Sequence, residues 1–201
     1  PYIVVKDVNV LSTANLTIEP GVVVKFADGT NLIISGGLFA QGNQTHNITF
    51  TSNSTTPAPG AWGSVWSSGN FFVMNCVFIE YADTGLKLVV PTSISNSAIS
   101  NCNVGAEGKL SYANNLKVTD NTDDGLSLSS SLRIENSNVS GNGGNGITIT
   151  DTIDMDNCIV SNNTEDGVVL SNGEFIKNSV ITGNGGNGTC ILEQTTIENT
   201  T

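Results

Sequence analysis

The sequence predicts an all-β solenoid, and three observations support this prediction. One phrase recurs with a period of 21 residues, as ENSNVSGNGGNGITI, DNCIVSNNTEDGVVL and KNSVITGNGGNGTCI. After a Gly in each phrase, apolar residues recur at every second position, which is the periodicity of strands and not of helices. The turns between are rich in Asn and Gly, which accept left-handed backbone. Units this short bury a core only by stacking, with strands about 4.8 Å apart and right-handed crossovers. We therefore expect a right-handed parallel β-helix with about 21 residues per coil in the C-terminal two thirds.

The first Asn of each phrase defines a column that we call the marker column. Three residues later comes an apolar residue, and seven further on a Gly. This rule assigns Phe78 to the core and Gly85 to the turn, and makes Ala106 the one substitute for Gly. Stacked amides satisfy one another's donors and acceptors, so we expect a structural ladder in this column. Its members are Asn75, Asn96, Asn115, Asn136, Asn157, Asn178 and Asn199.

A second Asn column is expected to form another structural ladder. In earlier coils Cys102 and Tyr81 interrupt it. Its members are Asn121, Asn142, Asn163 and Asn184.

The chain is interpreted as a single domain, 1–201, with three parts. Residues 1–50 form short apolar strands separated by EPG, DG and GG, residues 51–69 form an irregular Pro/Ser/Gly-rich insert, and residues 70–201 form the regular coils. LTIEPGVVVKF, with the ITFTS that follows, resembles the opening coils of secreted and cell-surface right-handed β-helix proteins of bacteria and archaea. The later coils resemble the β-helix repeats grouped with pectate lyases and with carbohydrate-binding or sugar-hydrolase modules. The resemblance implies the fold, whereas such repeats host enzymes, adhesins and structural proteins alike.

Composition excludes some partners. The formal net charge is −11, with 7 Lys and Arg against 18 Asp and Glu, which argues against nucleic acid and anionic membrane surfaces. No apolar run approaches the roughly 20 residues of a membrane span. Solubility rests on Asn, Ser, Thr and Gly, which is typical of extracellular solenoids, so we expect an extracellular or cell-surface location. The opening PYIVV without Met suggests a processed or trimmed form.

The Cys and His residues predict no catalytic or metal site. The four Cys lack a zinc spacing. Cys76 and Cys158 are assigned to one inward column, too far apart to pair, while Cys190 falls in an outward column and is expected to be accessible. His46, the only His, is expected in a surface turn.

Two outward columns carry charge: Glu135, Asp156, Lys177 and Glu198 in one, and Arg133, Asp154 and Phe175 in the other. Related polysaccharide hydrolases and lyases use clustered acids on adjacent coils. Here Arg133 with Asp154 and Asp156 with Lys177 are expected to form ion pairs between coils. We therefore assign no catalytic residue, and a polysaccharide lyase or hydrolase is the enzymatic alternative.

Three kinds of binding or modification site are hypotheses. Trp62 and Trp66, beside the 53–60 loop, are candidates for stacking on a sugar. Apart from a possible Ca²⁺ at Asp120, Asp123 and Asp124, no cofactor is expected. Asn-X-Ser/Thr sequons make glycosylation an expectation, best at Asn138 and Asn187. The sequons are Asn15, Asn43, Asn47, Asn53, Asn138, Asn162, Asn187 and Asn199.

The sequence favours an extracellular structural protein that stacks head to tail into a filament. PYIVV begins as a strand and TTIENTT stays in register, so a neighbour's strand is expected to complete the last coil. The expected interface residues are Tyr2, Ile3, Val4, Val5, Ile197 and Asn199. The alternative is a surface adhesin or carbohydrate-binding module with glycan partners.

Overall fold

A computed structural model of the protein describes residues 1–69, 71–172, 175–191 and 196–201. This part of the chain contains 23 strands and no helix. The strands pair in parallel and wind through about nine coils, each of which contributes one strand to each of three sheets. The predicted right-handed parallel β-helix is confirmed.

The three sheets run along the solenoid. The first contains β1 (Tyr2–Val4), β4 (Val23–Phe26), β7 (Ile48–Ser52), β10 (Val77–Glu80), the ends of β11 (Ala82–Ser100) and β12 (Val104–Thr119), β15 (Asn138–Ser140), β18 (Ile159–Ser161) and β21 (Val180–Thr182). The second contains β2 (Val8–Val10), β5 (Leu32–Ile34), β8 (Trp62–Ser67), the beginnings of β11 and β12, β13 (Leu126–Leu128), β16 (Ile147–Ile149), β19 (Val168–Leu170) and β22 (Thr189–Ile191). The third contains β3 (Asn15–Ile18), β6 (Gly37–Gln41), β9 (Phe71–Asn75), the middles of β11 and β12, β14 (Leu132–Glu135), β17 (Ile153–Asp156), β20 (Phe175–Lys177) and β23 (Thr196–Glu198).

The core of the later coils consists of aliphatic columns. In the second sheet Leu128, Ile149 and Leu170 stack in register and are buried. Successive side chains of a strand point to opposite faces, so the middle residue of each of these three strands faces outward. The alternation predicted from the sequence therefore places these side chains correctly.

The N-terminal coils fill their core with large aromatic side chains. The ring of Trp62 stacks on that of Phe26, with centroids 4.1 Å apart and planes 10° apart. Phe50 lies 6.3 Å from Phe26, ring to ring. The buried indole Nε1 donates to the Glu80 carbonyl at 2.7 Å, which satisfies the one polar atom of Trp62.

The register of the coil that contains β10 differs from the prediction by one residue. Ile79, and not Phe78, pairs with Ile99 in the core. Cys76 takes the left-handed backbone (φ 51) that marker Asn residues adopt in later coils. It is buried, but it does not share a column with Cys158. The prediction failed because this coil is one residue shorter than the assumed period.

Two further assignments change for the same reason. Gly105, and not Ala106, continues the Gly column, because Ala106 pairs with the core leucine of the next coil. Ala82, and not Tyr81, precedes Cys102 in the second Asn column. The Gly column therefore runs without a substitute.

Both predicted amide ladders form. In the marker column, side-chain amides bond from Asn115 to Asn96 at 3.0 Å and from Asn157 to Asn136 at 2.7 Å. Asn75 lies one residue out of this column, since it pairs with Ser95, although Asn96 Nδ2 donates to its Oδ1 at 2.8 Å. Within the described part of the chain, no such bond joins Asn136 to Asn115, and Asn178 Nδ2 donates to the Asp156 carboxylate.

The second ladder is buried and more regular. Asn121, Asn142 and Asn163 each donate through Nδ2 to the Oδ1 of the next Asn at 2.9 Å, and each backbone amide donates to the same oxygen. Cys102 continues the column by donating its backbone amide to Asn121 Oδ1.

A third ladder, not predicted, lies directly before the Gly column and alternates Asp with Asn. The amide of Asn145 donates to Asp124 Oδ1 at 2.7 Å, the amide of Asp166 donates to Asn145 Oδ1 at 3.1 Å, and the amide of Asn187 donates to Asp166 Oδ1. Alternation keeps carboxylates two coils apart, which limits like-charge repulsion.

The irregular insert is shorter than the predicted 51–69. β7 ends at Ser52 and β8 runs from Trp62 to Ser67, so within 51–69 residues 53–61 and 68–69 lack strand structure. β8 pairs with β5 and β11, which makes the WGSV segment part of a coil.

The single His occupies the predicted environment, whereas the thiols do so only in part. Cys76, Cys102 and Cys158 are buried, whereas Cys190 is half-buried. Burial raises the pKa of Cys102 to about 12 and that of Cys158 to about 11. His46 lies exposed in a turn whose amides donate to Asn43 Oδ1. Within the described residues, no helix is long and apolar enough to cross a membrane.

Candidate functional site: a groove on the third sheet

The outward face of the third sheet carries two columns of side chains in register. One runs through Tyr112, Arg133, Asp154 and Phe175, and the other through Asn114, Glu135, Asp156 and Lys177. The predicted grouping of the charged residues is therefore correct. Parallel strands place each side chain about 4.8 Å from its neighbour in the next coil.

Arg133 and Glu135 form a clasp within one strand. Arg133 Nη2 and Nε donate to Glu135 Oε1 at 2.6 and 2.9 Å. Tyr112 Oη and Asn114 Nδ2 donate to Glu135 Oε2 at 3.3 and 3.2 Å. The hydrogen bond from Arg133 lowers the pKa of Glu135, and the same bond raises the pKa of Arg133. The guanidinium is thus oriented while its remaining donors face solvent.

The predicted ion pairs between coils form only in part. Arg133 pairs with Glu135 rather than with Asp154, because the residue two positions along its own strand offers a two-donor contact. Lys177 Nζ lies 3.8 Å from Asp156 Oδ2, as expected, and 3.9 Å from Asp154 Oδ1. Lys177 therefore sits between two carboxylates.

The column that contains Arg133, Asp154 and Phe175 borders an open groove with a volume of about 520 Å³. Ser111, Ser131 and Thr152 contribute hydroxyls to the lining, and Thr152 Oγ1 donates to Ser131 Oγ at 2.9 Å. The side chains of Leu132 and Ile153 are buried in the core. Phe175 closes one end and is 61% exposed. An exposed ring beside an oriented guanidinium and a carboxylate suits a sugar, whose C–H face stacks while its hydroxyls bond. The lining residues are Ser111, Ser131, Leu132, Arg133, Thr152, Ile153, Asp154 and Phe175.

The structure changes the predicted sugar-stacking pair. Trp62 is fully buried, so it offers no surface to a glycan, and that assignment was wrong. Trp66 is 36% exposed, with Lys87 Nζ 5.8 Å from its ring. Trp66 and the exposed 53–60 loop stay a prediction.

The predicted calcium residues do not converge on one point, and Asp124 accepts hydrogen bonds from a neighbouring coil. Asp124 Oδ1 accepts from the Asn145 amide and its Oδ2 accepts from Thr148 Oγ1 at 3.1 Å. Among residues 1–69, 71–172, 175–191 and 196–201, no group of three or more His, Cys, Asp or Glu side chains is arranged to hold a metal ion. Asp120 takes left-handed backbone (φ 60) in its turn, and Asp123 lies beside Gly144.

The sequons differ in accessibility. Asn187 is exposed, as expected. Asn138 is half-buried and its Oδ1 is buried without a hydrogen-bond partner, so it is a poorer candidate than predicted. Asn43 accepts three hydrogen bonds in its turn. The other exposed sequon residues are Asn15, Asn53, Asn162 and Asn199, and Asn47 is half-buried.

The predicted interface residues lie on the outermost described strands. Tyr2 and Ile3 of β1 are 70% and 55% exposed, and Ile197 of β23 is exposed. β1 pairs with β4 and β23 pairs with β20. Val4 is half-buried, Val5 is exposed, and Asn199 Nδ2 donates to Asn178 Oδ1 at 3.4 Å.

Sequence reasoning missed the hydroxyl-bearing residues of the groove and the place of Tyr112 in the column of Arg133. Tyr112 precedes Arg133 by one coil, and the period alone would have aligned them. The 19-residue step between the two preceding coils obscured this, as does the long continuous strand β12.

The chain is similar to several known proteins. Residues 111–201 match the family described as right handed beta helix region. A stretch of 56 residues, 28% of the chain, is 46% identical to Protein bark beetle of Drosophila melanogaster, and the match spans 2% of that protein's length. The A-module of the Azotobacter vinelandii mannuronan C-5 epimerase AlgE4 aligns over 96% of this chain and 83% of its own, with 12% identity and a TM-score of 0.43. The observed parallel strand pairing and the match over 111–201, which covers less than half of the chain, both indicate a right-handed parallel β-helix fold.

Proposed function

We propose that the protein is an extracellular β-helix module that binds a glycan along the groove of the third sheet, without cleaving it. The observation that carries this proposal is the exposed Phe175 ring in register with Asp154 and the oriented Arg133. An aromatic face supplies the apolar contact for a sugar ring, and the polar pair bonds its hydroxyls.

Binding rather than catalysis is proposed because the acids of this face are committed to cations. Glu135 holds Arg133, while Asp154 and Asp156 flank Lys177. A general acid needs a raised pKa, whereas the pKa of Glu135 is lowered. Incubation with neutral and uronate polysaccharides, with and without Ca²⁺, should release no fragments. Turnover that disappears in Asp154→Ala or Asp156→Ala would contradict this part of the proposal.

Affinity electrophoresis in soluble polysaccharides tests the groove. Phe175→Ala and Arg133→Ala should each weaken binding about tenfold, which corresponds to about 1.4 kcal/mol. Phe78→Ala is the matched control, because Phe78 is an exposed Phe on the first sheet, away from the groove. Equal retardation of wild type and Phe175→Ala would contradict the proposal, as would the absence of retardation in every polysaccharide.

The clasp predicts a simple pH dependence. Because the folded-state pKa of Glu135 is lowered, its ion pair is fully present above the unfolded Glu pKa of about 4.3 and is lost as pH falls through the lower folded value. Glycan binding should therefore be constant between about pH 5 and 8 and should decline only below about pH 4.

Head-to-tail association is a second candidate, and the exposed apolar side chains of Ile3 on β1 and Ile197 on β23 support it. Exposed apolar surface favours association between molecules. Sedimentation velocity over a range of concentrations tests it: Ile3→Asp and Ile197→Asp should each abolish assembly, whereas Val89→Asp, an exposed apolar site between the ends, should leave it intact. A monomer at every concentration would contradict it.

A further inference from the structure

We infer that the groove takes an uncharged, hydroxyl-rich glycan rather than a uronate polymer. The inference rests on the proposed function and adds to it the class of ligand. A uronate polymer carries one carboxylate per sugar, so its site needs cations that the protein does not already neutralise.

Both cations of the groove face are already neutralised. Arg133 shares two short hydrogen bonds with Glu135. Lys177 lies within 4 Å of both Asp154 and Asp156. With Glu198, which pairs in register with Lys177, the six ionised side chains of the two columns comprise four carboxylates and two cations, so a polyanion would meet a negative surface.

The same two columns continue without charge toward the N-terminal end of the third sheet. A linear ligand that extends past Tyr112 would meet hydroxyl, amide and apolar groups only, which bond or stack on neutral sugars. One column continues through Ser93, Val73, Phe39 and Thr17, and the other through Ser95, Asn75 and Gln41.

Stacked coils also set a repeat that suits a polymer. The strand spacing of about 4.8 Å is close to the length of one sugar residue in an extended chain, so successive coils meet successive sugars. The net charge of −11 adds a long-range repulsion against polyanions, which salt screens.

The test compares soluble neutral polymers (β-glucan, mannan and xylan) with polygalacturonate and polymannuronate, in low and high salt. We expect at least one neutral polymer to bind, with a dissociation constant that salt changes less than about twofold, and uronates to bind at least about tenfold more weakly. Uronate binding as tight as neutral binding, weakened by salt, would overturn the inference and leave glycan binding intact. Failure of every polymer to bind would overturn the proposed function itself.

The double variant Asp154→Asn/Asp156→Asn gives an independent check. It leaves Lys177 without its carboxylate partners, so the affinity for uronate polymers should rise severalfold. The affinity for neutral polymers should change by a smaller factor. The control is Lys87→Ala, on the second sheet, which should change neither. A double variant that gains no uronate binding would contradict the charge argument.

Discussion

The N-terminal coils and the later coils solve the same packing problem in different ways. In the N-terminal coils, pairings such as Tyr2 with Val24 and Ile48 with Val77 join residues at different sequence separations, so these coils differ in length. Large aromatic rings fill the space inside them. In the later coils, like residues stack at the constant period, and a buried Asn ladder runs beside aliphatic columns. Irregular coils therefore depend on single large side chains, whereas regular coils depend on repetition.

The largest expected effect is the loss of the regular coils in Ile149→Asp. Ile149 is fully buried between Leu128 and Leu170, so an unpaired carboxylate there should cost at least about 5 kcal/mol. Circular dichroism melting measures it. Val169→Thr, at an outward position of the next strand, is the control and should change stability by less than about 0.5 kcal/mol. If both variants lost the same stability, the assignment of inward and outward positions would be wrong.

Thr148→Asp would be a poor control, although the sequence predicts an outward, tolerant position. Thr148 Oγ1 donates to Asp124 Oδ2, so a carboxylate there would face another carboxylate.

In the N-terminal coils, Trp62→Ala should cost about 4 kcal/mol, since it removes the ring that stacks on Phe26. Chemical denaturation compares it with Trp66→Ala, which removes a half-exposed ring and should cost about 1 kcal/mol or less. A Trp62 variant as stable as the Trp66 variant would refute the claim that single aromatics organise these coils.

Asn142→Ala tests the other half of the comparison and should cost about 3 kcal/mol. It leaves the backbone amide and Nδ2 of Asn121 without their shared acceptor in a buried site. Asn53→Ala, at an exposed loop position, should leave the melting temperature unchanged. If Asn142→Ala melted like wild type, the ladder would not contribute to stability.

The sequence predicted the fold and two ladders because both arise from exact repetition. Repetition also contained the third ladder: Asp124, Asn145, Asp166 and Asn187 recur at the same period, but mixed residue types concealed it. Where coil length changes, the sequence misled, as at Phe78. The period carried no information about Trp62, whose stacking partner Phe26 lies in an earlier, irregular coil.

The candidate site was predictable only in part. Register placed Arg133, Asp154 and Phe175 in one column correctly. It did not predict that Arg133 would turn to Glu135, because the choice between a neighbour along the strand and one across it depends on side-chain geometry.

The smallest expected effect on stability is in Asn145→Asp, which makes three carboxylates adjacent in the third ladder. We expect a loss of about 1 kcal/mol in low salt, reduced in high salt, which screens the repulsion. The matched variant Asp166→Asn converts the ladder toward an all-amide one and should cost less than about 0.5 kcal/mol. Thermal melts at both salt concentrations would contradict the repulsion argument if Asn145→Asp lost the same stability at each.

The most direct test of the central claim is a crystal structure of the protein with a neutral hexasaccharide from the polymer that binds best. The ligand should lie along the third sheet parallel to the solenoid axis, with one sugar stacked on Phe175 and hydroxyls bonded to Arg133 and Asp154. The account would be contradicted if the hexasaccharide bound at Trp66 of the second sheet or on the first sheet. It would also be contradicted if the ligand lay perpendicular to the solenoid axis.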